Sequence, residues 1–318
     1  MPAETRDLPA AATAWQPCAR DQWDSLIGSA GKSPLEQAWA YGEAVAAQHG
    51  QQVERHLITC GGTPAALLQS FHKTYWRLGV TRILRGPLWL IDPLADPRGA
   101  EICRGIARRW RRHPTRFLSW LPELPDGPRS AALIEGAGLR RVVTGYSSAW
   151  LDLRQDREAL LAGLHGKWRA ALRRAEREDL TVAEDTRQRQ WQAALMLYES
   201  FRRKKRFVGL SADFIAALAA ADRAAPLSLT ARRGGTPVAG VILLRHGASA
   251  TYTASWTSDE GRAGQAHNLL LWRAVETLKA GGTQWLDLGG LNTESQPGLA
   301  RFKLGLGGEV FTLTGSYL

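Results

Sequence analysis

The sequence runs to 318 residues, 44% of them hydrophobic and 13 of them tryptophan, which excludes disorder over most of its length and points to two domains or one large α/β domain. Its 41 Lys and Arg against 30 Asp and Glu leave a formal charge of +11, which favours acidic partners such as nucleic acid, nucleotide phosphates or anionic lipid, although codon composition alone also yields arginine-rich chains. Three widely spaced cysteines, Cys18, Cys60 and Cys103, build neither a disulfide framework nor a CxxC zinc site, and no apolar stretch is long enough to span a bilayer.

Residues 1–14 read as a loose start without the basic and apolar regions of an export signal, so a soluble, cytoplasmic chain is expected. "DQWDSLIGSAGKSPLEQAWAYGEAVAAQHG" predicts two short helices broken between Gly28 and Pro34. The period then changes: "QVERHLITC", "TPAALLQSFHKTY" and "VTRILRGPLWL" predict a meander of antiparallel strands. A helix follows, with Asp96 as N-cap and Pro114 as stop, then strand "RFLSWLPEL" and a helix ended by Gly136 or Gly138. The second half predicts strand "YSSAWLDL", helices from Arg157 to Asp179, strand "LTVAED", and helices over 187–206 and 211–222. Strands "APLSLTARRGG", "TPVAGVILLRHG" and "SATYTASW", a helix over 266–280, strand "QWLDLGG" and a closing strand "GEVFTLTGSYL" complete it. "ERHLITCGGTPAALLQSFHK" and "LSLTARRGGTPVAGVILLRHG" share a Gly-Gly-Thr-Pro turn between strands, and the same element order around it suggests two copies of one α/β unit joined near residues 140–146.

No nucleophile with a general base is evident: the 7 histidines are scattered, and HExxH, G-x-S-x-G and an early GxGxxG are all missing. That pattern favours chemistry by positioning, in which an amine attacks an activated acyl group and a fixed cation stabilises the oxyanion. Arg169, Arg173 and Arg177 recur every four residues opposite Leu164, Trp168, Leu172 and Ala175. Such a stripe can hold a diphosphate or an RNA backbone, or can be a solvated face paired with Glu176, Glu178 and Asp179. "RRWRR" at 108–112 and "RRKKR" at 202–206 add to the case for a polyanion, though each alone reads as surface.

"KWRAALRRAEREDLTV" resembles the helix and following strand of the FemAB/FemX family of aminoacyl-tRNA-dependent peptidyltransferases. Arg169, Leu172, Arg173, Arg174, Ala175, Arg177 and Leu180 fit, while Ala170 replaces an Asn and Asp179 a Gly. "PLEQAWAYGEA", "RGPLW", "HNLLLWRAVETLKAGGTQWLDLGG" and "GLARFKLGLGG" agree in family order, so the similarity spans nearly the whole chain. It implies an α/β (α+β) fold of two tandem GNAT-like domains, each a mixed, largely antiparallel sheet flanked by helices. Residues 15–145 would form the N-terminal domain and 146–318 the C-terminal domain, which carries the Phe302-Lys303 motif.

The resemblance implies that Lys303 contacts phosphate or the reacting ester carbonyl, and that Arg169, with Arg173, binds acceptor or donor phosphate. Tyr252 falls near an aromatic position of the acceptor site, although Ala254 and Trp256 depart from the family's tyrosine-rich pattern. Arg85 in "RGPLW" is a further candidate, in a stretch that offers backbone N–H groups or a simple bulge forced by Pro87. Gln37, Trp39 and Tyr41 match only loosely, with helix packing for Trp39 and the surface for Gln37 as the plainer reading.

The expected donor is aminoacyl-tRNA, with no tightly bound cofactor, and the acceptor a small amine or nucleotide-linked peptide. The alternative donor is acyl-CoA, as in GNAT N-acyltransferases of polysaccharide or natural-product assembly: in "GRAGQA", Gly264 and Ala266 fit a pyrophosphate loop, with Arg262 before them as a further donor-binding candidate and Gly261 where Arg or Gln is usual. A nucleic-acid-binding protein without transfer would explain the charge but not the Phe-Lys motif.

Overall fold

The structure, a computed structural model, describes residues 13–111, 115–294 and 296–318. Strands β1 (Thr13–Pro17), β2 (Gln52–Cys60), β3 (Thr63–Tyr75), β4 (Leu78–Leu84), β5 (Leu88–Trp89), β6 (Arg116–Leu121) and β7 (Arg141–Val143) come from the first half. Strands β8 (Ser147–Asp152), β9 (Thr181–Glu184), β10 (Pro226–Arg233), β11 (Thr236–His246), β12 (Ser249–Thr257), β13 (Trp285–Asp287), β14 (Glu309–Thr312) and β15 (Ser316–Tyr317) follow. They form two mixed sheets, in the order β1-β2-β3-β4-β6-β15-β7, with β5 beside β3, and β9-β10-β11-β12-β13-β8-β14.

The sequence echo is a repeat of backbone geometry. The glycines joining β2 to β3 have φ of 58° and 81°, and those joining β10 to β11 have φ of 51° and 82°. Positive φ at both central residues is what a tight hairpin matching the strand twist requires, and glycine supplies it without a steric cost. Both hairpins also slip by one residue at the same place. Ile58 faces Ala66 but Thr59 faces Pro64, and Ala231 faces Ala239 but Arg232 faces Pro237. The bulge admits a proline that has no N–H to give to the ladder. Each hairpin continues into an antiparallel strand, β4 or β12, then a crossover helix, α3 (Arg98–Arg111) or α10 (Ala266–Ala280), then a parallel strand, β6 or β13.

The strand that follows each unit crosses into the other sheet. β8, after β7, pairs with β13 and β14, while β15, after β14, pairs with β6 and β7. The closing stretch, expected as one strand, is thus divided at Leu313–Gly315, and Tyr317 lies fully buried in the core of the first sheet. Gly145 meets the Leu313 carbonyl so closely that a Cβ would collide with it, and Gly315 has φ of 112°, so both crossings need glycine.

Helices α1 (Arg20–Ser29), α2 (Trp39–His49), α4 (Pro128–Glu135), α5 (Arg157–Gly163), α6 (Gly166–Ala175), α7 (Gln188–Lys205), α8 (Ala212–Ala221), α9 (Asp259–Ala263) and α11 (Pro297–Leu304) cover the sheets. A shared core seals the halves: Leu35, Ala44, Val45 and Phe71 pack with Phe214, Leu218 and Leu244, and Tyr41 meets Phe214 edge-on at 5.2 Å. None of the helices of the described residues is long and apolar enough to cross a membrane.

Several expectations shift. Asp96 accepts the Arg98 N–H at 2.9 Å at the start of α3, whereas Pro114 and Arg112 lie outside the described residues. Of residues 1–14, expected to be loose, Thr13 and Ala14 belong to β1, and 1–12 lie outside the described residues. Gln37 is not at the surface: it is fully buried, donates to the Leu84 carbonyl at 2.8 Å and accepts from the Gln69 N–H at 2.9 Å.

Candidate active site

The carboxyl ends of the two parallel strand pairs meet at the junction of the sheets, the position where open α/β sheets bind ligands. β4 and β6 stay paired over six residues, from Gly79 with Arg116 to Leu84 with Leu121. β12 and β13 pair only over Ser249–Thr251 and Trp285–Asp287, after which β12 runs on to Thr257 paired with β11 but not with β13. The second sheet therefore opens beside Asp287.

Arg85 follows β4 in a left-handed backbone conformation, φ 48°, and is only 3% exposed. Its Nε and Nη2 each donate to Glu123 at 2.9 Å, and its Nη1 donates to Asp287 Oδ2 at 2.6 Å. Glu36 Oε2 stands 3.8 Å from Nη1, and the rings of Tyr146 and Phe311 lie 5.6 and 5.4 Å from the guanidinium carbon. Burial alone would lower the Arg85 pKa, but Glu123, Asp287 and Glu36 hold it well above its ordinary value. The same burial raises the carboxyls of Glu36 and Glu123, against the pull of Arg85. Arg85, a candidate for binding acceptor phosphate, is thus already enclosed by protein carboxylates.

Asp287, fully buried, accepts from the Gly289 N–H at 2.8 Å and from the Ser148 hydroxyl. That fixes the turn at Gly289, φ 69°, whose close approach to the Tyr252 carbonyl leaves little room for a Cβ. The next carbonyl, Gly290, accepts from Lys303 Nζ at 2.9 Å. Lys303 is 7% exposed, its Nζ lies 5.6 Å from the Tyr252 ring centre, and burial pushes its pKa down to about 8 against the opposing field of Asp287. Tyr252, whose hydroxyl donates to Ser255 Oγ at 2.6 Å, is pushed up to about 12 by burial, and Tyr146 is raised for the same reason.

Lys303 is delivered by α11, a helix not among the elements predicted for this stretch. Pro297 opens this helix and Gly305 closes it, a common asymmetry of helix ends. Phe302 packs against Trp168 at 5.9 Å, and a Cβ on Gly305 would come within 2.7 Å of Trp168 Cδ1, so α11 lies tight on α6.

Lys303, Tyr252 and Arg85 gather at the junction. Arg169 and Arg173 lie elsewhere, lining an open groove of about 380 Å³ with Arg157, Leu161, Leu172 and Glu176. Arg169 Nη2 donates to the Leu164 carbonyl at 3.0 Å, which satisfies the end of α5, while its buried Nε has no partner among the described residues. Leu164, Trp168, Leu172 and Ala175 form the buried face as expected, but α6 ends at Ala175 and leaves Arg177 off the stripe. Within "GRAGQA", Arg262 is exposed and pairs with Asp259 at 2.9 Å, Gly264 ends α9 against the Arg233 guanidinium, and Ala266 is the buried first residue of α10. This segment is a helical turn with Asp259 and Glu260 in its first turn.

Asp287, Glu123, Glu36, Tyr146 and Ser148 had not been singled out in the sequence. A signal existed for Asp287, because "LDL" sets a carboxylate between leucines of a buried strand, and such a charge needs a partner.

Residues 164–304 match the acetyltransferase (GNAT) domain family, which makes the chain an acyltransferase. No curated protein matches it. In fold it is similar to FemX, with a TM-score of 0.80 at 11% identity over 96% of each chain. It is also similar to L-PGS from Bacillus licheniformis (TM-score 0.53, 12% identity, 92% of this chain and 90% of that one). A tandem GNAT protein from the clavulanic acid biosynthesis pathway is comparable (TM-score 0.53, 15% identity, 96% and 98%). One structural unit is built twice, the whole chain has the fold of FemX, and residues 164–304 match the GNAT acetyltransferase domain.

Proposed function

We propose that the chain forms an amide between an amine acceptor and the aminoacyl group of an aminoacyl-tRNA. The observation that carries this reading is Lys303, a desolvated ammonium anchored on Gly290 beside the opening of β12 and β13. The amine nitrogen attacks the ester carbonyl, whose oxygen gains negative charge next to Lys303. Collapse breaks the ester C–O bond, and the proton given up by the amine passes to the released ribose hydroxyl. One preorganised donor of this kind is worth about 3 kcal/mol of barrier lowering.

The charge of +11 supports a polynucleotide donor, and Lys204, Lys205 and Arg206 at the end of α7 are exposed. Three carboxylates around the single Arg85 favour an acceptor that arrives as a cationic amine and gives one proton to solvent before it attacks as the free base, and Glu36 Oε2 lacks a hydrogen-bond partner among the described residues. We read residues 15–145 and 146–318 as two domains, the second lending β15 to the sheet of the first, with aminoacyl-tRNA met in the cytoplasm.

Acyl-CoA is the second reading, favoured by Gly264 and Ala266 at the start of α10 and weakened by the carboxylates of Asp259 and Glu260 beside them. Calorimetry of one preparation with acetyl-CoA and with an amide-linked aminoacyl-tRNA separates the two. Saturable binding of the tRNA analogue alone supports the proposal, and saturable binding of acetyl-CoA alone overturns it.

A further inference from the structure

We propose that Arg85 is a positioning residue for Lys303, acting through Asp287 and the Gly289–Gly290 turn, so that the first sheet sets the geometry of the ammonium carried by the second. The inference rests on the reading of Lys303 as the catalytic cation. Each link is direct: Arg85 Nη1 to Asp287 Oδ2 at 2.6 Å, Gly289 N–H to Asp287 Oδ1 at 2.8 Å, and Lys303 Nζ to the Gly290 carbonyl at 2.9 Å. A second path runs beside it. Tyr146 lies over the Arg85 guanidinium, and its ring comes within 3.0 Å of where a Gly290 Cβ would sit. Arg85 itself is held by both oxygens of Glu123, which follows β6, so the anchor is rigid at its far end. Without that ion pair, no hydrogen bond among the described residues would join the first sheet to the Asp287 carboxylate, and the turn that carries Gly290 would be held from the second sheet alone, by Ser148 and by the Leu288 and Leu291 N–H groups on the Ala149 and Ser147 carbonyls.

The charged and titratable groups around Lys303 are Asp287 from β13, Tyr252 from β12 and, behind the turn, Tyr146, Arg85, Glu36 and Glu123. Removing the Arg85 charge leaves three carboxylates unopposed, which favours the ammonium. Removing the Asp287 charge does the reverse.

The test follows the titration of Lys303 in the full chain by NMR after reductive ¹³C-methylation, with the resonance assigned by its loss in Lys303→Arg. Arg85→Gln is expected to move the midpoint up by at least half a pH unit and Asp287→Asn to move it down by at least as much. Ser148→Ala, which spares the ion pair, and Arg85→Lys provide the same reading at smaller amplitude should Arg85→Gln not fold. An unmoved midpoint with only a lower melting temperature would overturn the proposal, since a merely structural arginine predicts that result. In transfer assays, Arg85→Gln is expected to lower kcat at least tenfold with donor KM within twofold. Absence of transfer by the wild type speaks against the aminoacyl-tRNA reading alone, because the titration needs no substrate.

Discussion

Lys303 Nζ donates to the Gly290 carbonyl at 2.9 Å from a side chain that is 7% exposed, so its charge is held by one backbone oxygen rather than by water. Burial lowers its pKa to about 8 from 10.5. Between those values the unfolded chain keeps the proton that the folded chain has lost, so this group adds stability as pH rises from 8 to 10.5. Relative to Lys303→Met, wild-type stability is expected to gain roughly 3 kcal/mol across that window in urea titrations. Transfer activity, which needs the ammonium, is expected to fall over the same range. Parallel pH profiles of stability and activity would contradict this assignment.

Tyr317 is expected to matter to the first sheet although it comes from the opposite end of the sequence. Its ring is fully buried and its hydroxyl meets Thr314 Oγ1 at 2.9 Å. Tyr317→Ala should cost about 3–5 kcal/mol in denaturant unfolding, as for other large aromatic truncations. Hydrogen exchange should show the loss first in β6 and β7, which β15 joins.

Arg169 and Arg173 sit on one groove but differ in structural duty. Arg169 satisfies the end of α5, so Arg169→Ala should destabilise the fold by about 1–2 kcal/mol. Arg173 is exposed, and its removal should stay within about 0.5 kcal/mol. If the groove holds a phosphate of either substrate, Arg173→Ala raises KM at unchanged stability. An unchanged KM removes the groove from the substrate path.

The repeated hairpin was legible because two features coincide in each copy, the paired glycines and the proline two residues beyond them. The 266–280 helix was legible for a plainer reason, its unbroken run of helix-forming residues ending at Gly281. Around Lys303 the glycines at 289, 290, 298, 305, 307 and 308 hid a helix of eight residues, because glycine density reads as turn. Pro297 and Gly305 were the cues that mattered. The crossing of β15 into the first sheet left no local mark, since strand propensity does not say which sheet a strand will join. Nor did spacing mark the Arg85–Asp287 pair, whose members are 202 positions apart and meet only through tertiary packing.

In the proposed reaction Lys303 stabilises the charge that develops on the donor carbonyl. This role is tested most directly by single-turnover transfer from a pool of radiolabelled aminoacyl-tRNAs to a simple amine, glycinamide, comparing wild type with Lys303→Met at pH 7. Transfer should be slowed by about 100-fold or more in the variant, with an unchanged circular dichroism spectrum. Equal rates in the two proteins would contradict it.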